Sequence, residues 1–345
     1  MSTIRTRVLT SLLVVAGSLV ALAASAQPQP ETFFKKKMGL SDAEIQQIRQ
    51  GQVVTKVLPS GDTKYGVLVL GAVYVNAPAE KFVAVYKDVS RLKQLKVYLD
   101  LQVFNVGGAP VKLADFDRVT FNRKDIDELK SCKPGDCDLQ LYDIEGFRKQ
   151  IKWGAPDQYD QANKIGRQRM FDLVQRYQSG GLKAFGSYED RDKPFNRFTE
   201  TKAMLDNSFY LQGSTAPEVY RHVVDYPQGK LAGAEEFFYW ENIDLGQGPT
   251  IRLSHNAVFP MGAGAAKPVA VNKQLYASRY IRMALMIFAC VPDTQGKGFY
   301  LIEINDSRTP DFGSLKQSIV RKVATSTAEQ SVKDMLALYK AELAK

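Results

Sequence analysis

The sequence is poor in the residues that metal binding and nucleophilic catalysis require. Its 345 residues include only two histidines and three cysteines. No CxxC or HxxxH spacing completes a zinc site, and the GxSxG, P-loop, HExxH and EF-hand patterns are all absent. These absences argue against nucleophile-elbow esterases, P-loop nucleotidases and HExxH metalloproteases, and we expect neither a metal nor a cofactor.

The sequence also lacks runs of basic residues, internal repeats and low-complexity segments. Hydrophobic residues make up 45% of the chain and charged residues 24%, which is typical of a globular protein and excludes collagen-like or wholly disordered chains. The formal net charge of +9 is spread along the chain and no nucleic-acid recognition module accompanies it, so we expect no nucleic-acid partner. The charge is compatible with transient contact to an anionic membrane surface.

The first 26 residues have the pattern of a bacterial signal peptide. Arg5 and Arg7 precede an apolar run over 8–24, and Ala24 and Ala26 flank a serine in a small-x-small cleavage site. We expect cleavage after Ala26 and an exported protein, periplasmic or secreted. The alternative is an uncleaved anchor, although a run of about 17 residues is short for a membrane span.

Export changes the interpretation of the cysteines, because disulfides persist in oxidising compartments. Cys132 and Cys137 flank a turn-forming Pro-Gly-Asp segment, which favours a local disulfide between them. Half of a zinc site is the alternative. Cys290 lies in an apolar stretch and is predicted to be a buried thiol.

Hydrophobic periodicity divides the chain into a short opening, a helical middle and a strand-rich last third. A capping box at Ser41 and Glu44 begins a small helix, 65–76 alternates as a strand, and Pro78 precedes an amphipathic helix. Strands are predicted at 236–245, 250–259, 269–291 and 299–305, before a long closing helix over 313–343. The resulting segments are a signal peptide (1–26), an N-terminal arm with a short helix (27–64), the first part of a sheet domain (65–114), a helical insertion (115–233) and the second part with the closing helix (234–345).

This order predicts an α+β fold in which helices gather against one antiparallel sheet. A long last helix can lie across a curved sheet and leave a cavity between them. The predicted apolar side of that helix holds Leu315, Ile319, Val323, Val332, Met335, Leu336, Tyr339 and Leu343.

Two parts of the chain resemble the START-like superfamily, the helix-grip proteins of SRPBCC type that bind lipids and other hydrophobic ligands. The resemblance lies in residues 71–82 (GAVYVNAPAEKF) with the following Tyr86 and Asp88, and in 299–305 leading through Gly313 into the closing helix. It implies a curved antiparallel sheet gripped by the last helix around a ligand, with 115–233 as an insertion. The whole chain also resembles an uncharacterised family of exported bacterial proteins at 132–137, 238–241 and 273–280, which implies no activity.

Strand alternation supplies most of the candidate ligand-binding residues. Over 269–291 it places Tyr276, Tyr280, Met286 and Phe288 on one face, which would line a cavity or simply form core. His255 shares a face with Ile251 and Leu253 and is either a ligand-facing imidazole or general base, or a structural histidine.

Two further candidates come from the neighbouring strand and from the end of the last strand. Trp240 is predicted either to face the ligand or to pack in the core, and Arg308 is predicted either to pair with an anionic headgroup or to form a surface ion pair. The leading hypothesis is an exported binding or carrier protein for a hydrophobic small molecule or lipid. The alternatives are a START-like enzyme, a hydrolase or cyclase that uses His255, and an envelope protein-interaction module.

Overall fold

The structure is a computed structural model that describes residues 30–134, 137, 139, 141–188, 194–208, 211, 216–246, 248–263, 266–311 and 313–345. The side chains of residues 141, 142, 314 and 315 are not part of this description. The predicted signal peptide, 1–26, lies outside the described residues, as does the side chain of Leu315.

An eight-stranded antiparallel sheet forms the centre of the molecule, in the order β1-β2-β10-β9-β8-β7-β6-β3. A separate two-stranded ladder joins β4 and β5. The strands are β1 (Val54–Leu58), β2 (Gly66–Val75), β3 (Tyr98–Phe104), β4 (Ser187–Tyr188), β5 (Phe195–Asn196), β6 (Glu235–Asp244), β7 (Pro249–Phe259), β8 (Val269–Ala277), β9 (Met283–Pro292) and β10 (Phe299–Arg308).

Helices cover both faces of this sheet. They are α1 (Pro30–Phe33), α2 (Asp42–Arg49), α3 (Lys81–Lys87), α4 (Arg123–Glu128), α5 (Leu141–Gln150), α6 (Gln158–Gly180), α7 (Arg197–Asp206), α8 (Pro217–Asp225) and α9 (Ser314–Leu343), with 3-10 turns at Val89–Gln94, Val106–Gly108, Leu113–Phe116 and Gly181–Phe185 and a π-turn at Phe34–Met38. Because both faces are covered, the central strands β2, β7 and β9 are almost continuously buried, and β2 and β9 are also almost continuously apolar rather than alternating.

The inner face of the sheet is the one that packs against α3 and α9, and its core includes Val69, Val73, Phe288 and Leu301. Helix α9 crosses β2 very closely: a Cβ added to Gly71 would lie 2.4 Å from Val332 Cγ1 and 2.7 Å from Leu336 Cδ1. Glycine at this position therefore lets the helix approach the strand.

The outer face of the sheet packs against the N-terminal helices at one side and against α6, α7 and α8 at the other. Phe34, Met38 and Ile48 cover β2 and β10, whereas Met170, Val174 and Tyr177 of α6 cover β6 and β7. The helices of the span 115–233 thus form a layer on the face opposite the closing helix.

The predicted α+β class is confirmed, with a large antiparallel sheet and a long C-terminal helix. The predicted burial of α9 is correct only for its second half: Val332 and Leu336 are buried, whereas Ile319 and Val323 are 66% and 44% exposed. Among the described residues, no helix combines the length and the apolar composition needed to cross a membrane.

The prediction of one long strand over 269–291 is wrong. These residues form a hairpin, in which β8 and β9 pair antiparallel and residues 278–282 make the turn. A bulge lies just before the turn, because Leu253 pairs with Tyr276 while Ser254 pairs with Gln274. The extra residue, Leu275, reverses the alternation, so that Tyr276 lies on the outer face although Gln274 lies on the inner one.

The cysteines are arranged as the sequence predicted. Cys132 and Cys137 form a disulfide between α4 and α5, and Cys290 is a buried free thiol in β9. This disulfide is compatible with an oxidising compartment.

Candidate functional site

The cavity expected beneath α9 is almost completely filled by aromatic side chains. Phe82, Tyr86, Phe288 and Tyr339 pack with ring centroids 5.4–6.1 Å apart. They leave a void of about 20 Å³, which Met286 also lines. Such a void accommodates about one water molecule. Met286 and Phe288 therefore belong to the closed core, which is the second of the two interpretations given for them, rather than lining a ligand-sized cavity.

Polar side chains surround this void, and no sequence pattern predicted them. The Tyr86 hydroxyl donates to Asn256 Oδ1 at 2.8 Å, and Asn272 Nδ2 donates both to Tyr239 Oη at 2.9 Å and to Asn256 Oδ1 at 3.0 Å. Nearby, Arg252 Nε donates to the fully buried Glu241 at 2.6 Å. Only tertiary packing brings these residues of α3, β6, β7 and β8 together.

A much larger cavity, of about 490 Å³, lies on the outer face, and we call it the interlayer pocket. It is bounded by α4, α5 and α6 on the helical side and by the β8–β9 turn on the sheet side. Its apolar wall includes Phe121, Ile126, Leu129, Phe147, Met170, Leu173, Tyr276 and Ile281. This volume lies within the range of small-molecule binding sites.

Tyr276 and Tyr280 both line the interlayer pocket, but not as neighbours on one strand. Tyr276 reaches it because of the β8 bulge, and Tyr280 lies in the turn with φ +60°, a left-handed conformation uncommon for a large side chain. Arg279 Nη1 donates to the Tyr280 hydroxyl at 3.2 Å. The structure thus brings the two tyrosines together at one wall and separates them from Met286 and Phe288.

Ion pairs cross the pocket between the sheet and the helices. Arg279 of the β8–β9 turn pairs with Asp125 of α4, and its Nη2 lies 3.4 Å from Glu128 Oε2. Burial raises the pKa of Asp125 to about 6, and Glu128 adds to this effect while Arg279 opposes it. On the helical wall, Arg169 Nε lies 3.5 Å from Asp143 Oδ1. Ten charged residues in all line the pocket beside its apolar side chains: Lys124, Asp125, Glu128, Asp143, Arg169, Asp172, Arg176, Arg279, Arg282 and Asp311.

The disulfide is part of the pocket wall, since both Cys132 and Cys137 line it. Arg148 of α5 donates to the main-chain carbonyls of Leu129, at 3.2 Å, and Cys132. These bonds connect the end of α4 to α5 independently of the covalent link.

Trp240 lies on the outer face but away from this pocket. Its side chain is fully buried, its Nε1 donates to the Asp115 carbonyl at 2.8 Å, and the Arg118 guanidinium lies 5.6 Å from its ring. Trp240 therefore anchors the segment after β3 to the sheet and lines neither cavity described above.

Arg308 is 2% exposed and is surrounded by acids. Its Nη1 lies 2.5 Å from Asp306 Oδ1, and its Nε lies 3.6 Å from Glu200 and 3.9 Å from Asp62. Both interpretations of Arg308 are thereby corrected, because the guanidinium is in a buried ion cluster rather than at the surface or facing a headgroup.

His255 lies in a buried hydrogen-bonded network between the sheet and the helical layer. Its Nδ1 is 2.9 Å from the Tyr177 hydroxyl, and its Nε2 is 3.4 Å from Glu236 Oε1. His222 Nδ1 accepts from the Leu231 amide at 2.9 Å, which leaves its Nε2 to donate to the same Glu236 oxygen at 3.0 Å. Hydrophobic periodicity alone could not have paired Tyr177 or Glu236 with His255.

Lys273 completes this network and was not predicted. It is 3% exposed, donates to the Val223 carbonyl at 2.6 Å and lies 5.3 Å from the Tyr177 ring centroid. Burial lowers the pKa of Lys273 to about 7, and burial together with Lys273 lowers that of His255 to about 4. The His255 imidazole is therefore neutral near pH 7.

His255, Tyr177 and Glu236 are groups that could transfer protons, but their buried position gives a substrate no access to them. His255 is 3% exposed, Tyr177 is fully buried, and neither lines the void or the interlayer pocket. A general base must reach the proton it removes, so the geometry favours a structural role for His255. Within the described part of the chain, no group of three or more histidine, cysteine or acidic side chains is placed to hold a metal ion.

Comparisons with known proteins add little to this description. No family model matches the chain, and no curated protein matches it. Among solved structures, it is similar to the Zhui aromatase/cyclase from Streptomyces sp. R1128, with 16% identity and a TM-score of 0.27 over 33% of this chain and 68% of that one. At this level the likeness carries no argument about function, which has to come from the site itself.

Proposed function

We propose that the protein binds a small amphipathic organic molecule in the interlayer pocket. The observation that carries this proposal is the pocket itself, a cavity of about 490 Å³ whose wall combines apolar and charged side chains. Its position differs from the one the sequence suggested, because the ligand would lie between the helical layer and the end of the β8–β9 hairpin rather than beneath α9.

The composition of the wall indicates how such a ligand would be held. Phe121, Met170, Leu173 and Ile281 offer apolar contacts, and removal of about 200 Å² of apolar ligand surface from water would contribute roughly 5 kcal/mol. The hydroxyls of Tyr276 and Tyr280 and the charges around Arg279 would orient its polar groups. A carrier role in an exported protein agrees with the disulfide, and export itself stays a prediction.

The test is binding of the neutral fluorescent probe Nile red, combined with mass spectrometry of an organic extract of the purified protein. Leu173→Trp should fill the pocket and reduce binding at least tenfold, which corresponds to about 1.4 kcal/mol. The matched control is Gln175→Trp, since Gln175 is exposed on the same helix.

The tyrosines give a second comparison. Tyr276→Phe and Tyr280→Phe keep the rings, so we expect nearly unchanged melting temperatures and weaker retention of a polar co-purifying ligand. Tyr220→Phe is the control, because the Tyr220 hydroxyl bonds Asp206 at 2.7 Å outside the pocket. Equal Nile red binding by Leu173→Trp and wild type, or no binding by wild type, would refute the proposed function.

A further inference from the structure

We infer that ligands enter and leave the interlayer pocket between α4 and the β8–β9 turn, and that Arg279 with Asp125 and Glu128 forms an ion-pair gate there. This inference rests on the proposed function, because it describes how the same pocket is closed. It assigns a role to three residues that no strand or helix pattern singled out.

The two sides of the gate come from separate parts of the fold. Arg279 lies in the turn that ends the β8–β9 hairpin, with its Nη1 3.7 Å from the position that a Cβ on Gly248 would occupy. Asp125 and Glu128 lie one turn apart on α4, more than 150 residues earlier in the chain. The side chains of Arg279 and Asp125 are 11% and 14% exposed, so their contact forms part of the pocket's outer wall.

Helix α4 is attached mainly to the helical side of the pocket. Its Ile126 belongs to a small apolar cluster with Phe147, Ile151 and Ala162, which is distinct from the cluster that joins α6 to the sheet. The main chain just before α4 is also attached to the helical side of the pocket, because the Phe121 amide donates to Asn163 Oδ1 of α6 at 2.7 Å. Across the opening, ion pairs join α4 to the turn.

This division is what a gate requires. Separation of packed apolar surfaces exposes them to water, whereas a separated ion pair recovers hydration that offsets the lost attraction. The contacts between Arg279 and α4 can therefore open at lower cost than the contacts of Ile126. Two carboxylates share one guanidinium, so either acid can hold the arginine while the other is released.

The experiment compares Arg279→Gln, Arg279→Lys and the exchanged pair Asp125→Arg with Arg279→Asp. Hydrogen exchange of the α4 amides measures how readily the gate opens when no ligand is present. The rate of Nile red release measures how readily it opens when the pocket is occupied. Lys149→Gln is the matched control, since it removes an exposed ion pair with Glu145 on α5 without touching Arg279.

We expect Arg279→Gln to accelerate both α4 amide exchange and Nile red release by about tenfold, equivalent to about 1.4 kcal/mol, with little change in melting temperature. Arg279→Lys and the exchanged pair should recover most of the wild-type protection, and Lys149→Gln should match wild type. Unchanged exchange in Arg279→Gln would overturn the gate even if the probe binds. Faster exchange in a protein that binds no probe would support the gate and refute the proposed function.

Discussion

Replacement of Lys273 by methionine should stabilise the protein at pH 7. The ammonium group is buried between the sheet and the helical layer, with the Val223 carbonyl as its hydrogen-bond acceptor and the Tyr177 ring beside it. Burial lowers the pKa of Lys273 from 10.5 to about 7. Methionine has a similar shape and carries no charge to desolvate, so the substitution removes this cost.

The magnitude follows from the shift in pKa. The unfolded chain binds more protons than the folded one between pH 7 and 10.5, so the stability of the wild type rises with pH across this window. At about 1.4 kcal/mol per pH unit, the cost of the buried amine at pH 7 is about 5 kcal/mol. Loss of the hydrogen bond to Val223 would offset roughly 1–3 kcal/mol of the gain. We therefore expect Lys273→Met to be about 2–4 kcal/mol more stable than wild type at pH 7 and within about 1 kcal/mol of wild type at pH 9.

Chemical denaturation at pH 7, 8 and 9 measures this difference, and subtraction of the two profiles removes the titration of groups shared by both proteins. Lys149→Met is the control, because its side chain is 77% exposed and the change should stay within about 0.5 kcal/mol. A variant less stable than wild type by a constant amount at all three pH values would show that Lys273 is stabilised as a cation, and the argument from burial would be wrong.

Two further predictions concern other buried groups. Burial raises the pKa of Glu303 well above its ordinary value of 4.5, so ionisation of this carboxyl lowers the stability of the folded protein as pH rises above 4.5. Glu303→Gln should remove this loss and stabilise the protein at pH 7. A lower denaturation midpoint for the variant at pH 7 would contradict this prediction. The Cys132–Cys137 disulfide closes a short loop, so serine at both positions should cost about 2 kcal/mol without preventing folding. Alkylation without reduction should label neither cysteine in the exported wild type, and labelling of both would count against the bridge.

Most of the helices could be predicted because their signals are local. The Ser41 and Glu44 capping box is present in the structure, and Asn122 caps α4 through the amide of Lys124. Helix α6 likewise ends at a local signal, the pair Gly180 and Gly181. Strands β6, β7 and β10 were found for a similar reason, since runs of β-branched and aromatic residues are bounded there by turn residues.

The β8–β9 hairpin was missed because its turn lacks the strongest turn signals. Residues 278–282 read SRYIR, in which Ser278 is the one common turn residue and glycine, proline, asparagine and aspartate are absent, and the left-handed position is taken by Tyr280. The bulge at Leu275 is likewise set by pairing with β7 rather than by any local pattern. Sequence alternation therefore placed Tyr276 on the wrong face and grouped it with Met286.

The cavities could not be predicted because they depend on how side chains from distant segments fill space. The aromatic residues expected to surround a ligand beneath α9 instead pack against one another and leave about 20 Å³. Contacts such as that between Arg279 and Glu128, which are 151 residues apart, leave no periodic signal in the sequence.

The site lies on the outer face because of how the helical layer meets the sheet. Helix α6 both packs on the sheet and lines the pocket: Val174 and Tyr177 are fully buried against β6 and β7, whereas Gly166, Met170 and Leu173 line the interlayer pocket. Helices α4 and α5 and the β8–β9 turn close the rest of the pocket. The span 115–233 is therefore what creates the pocket, and the bulge in β8 is what directs a tyrosine into it.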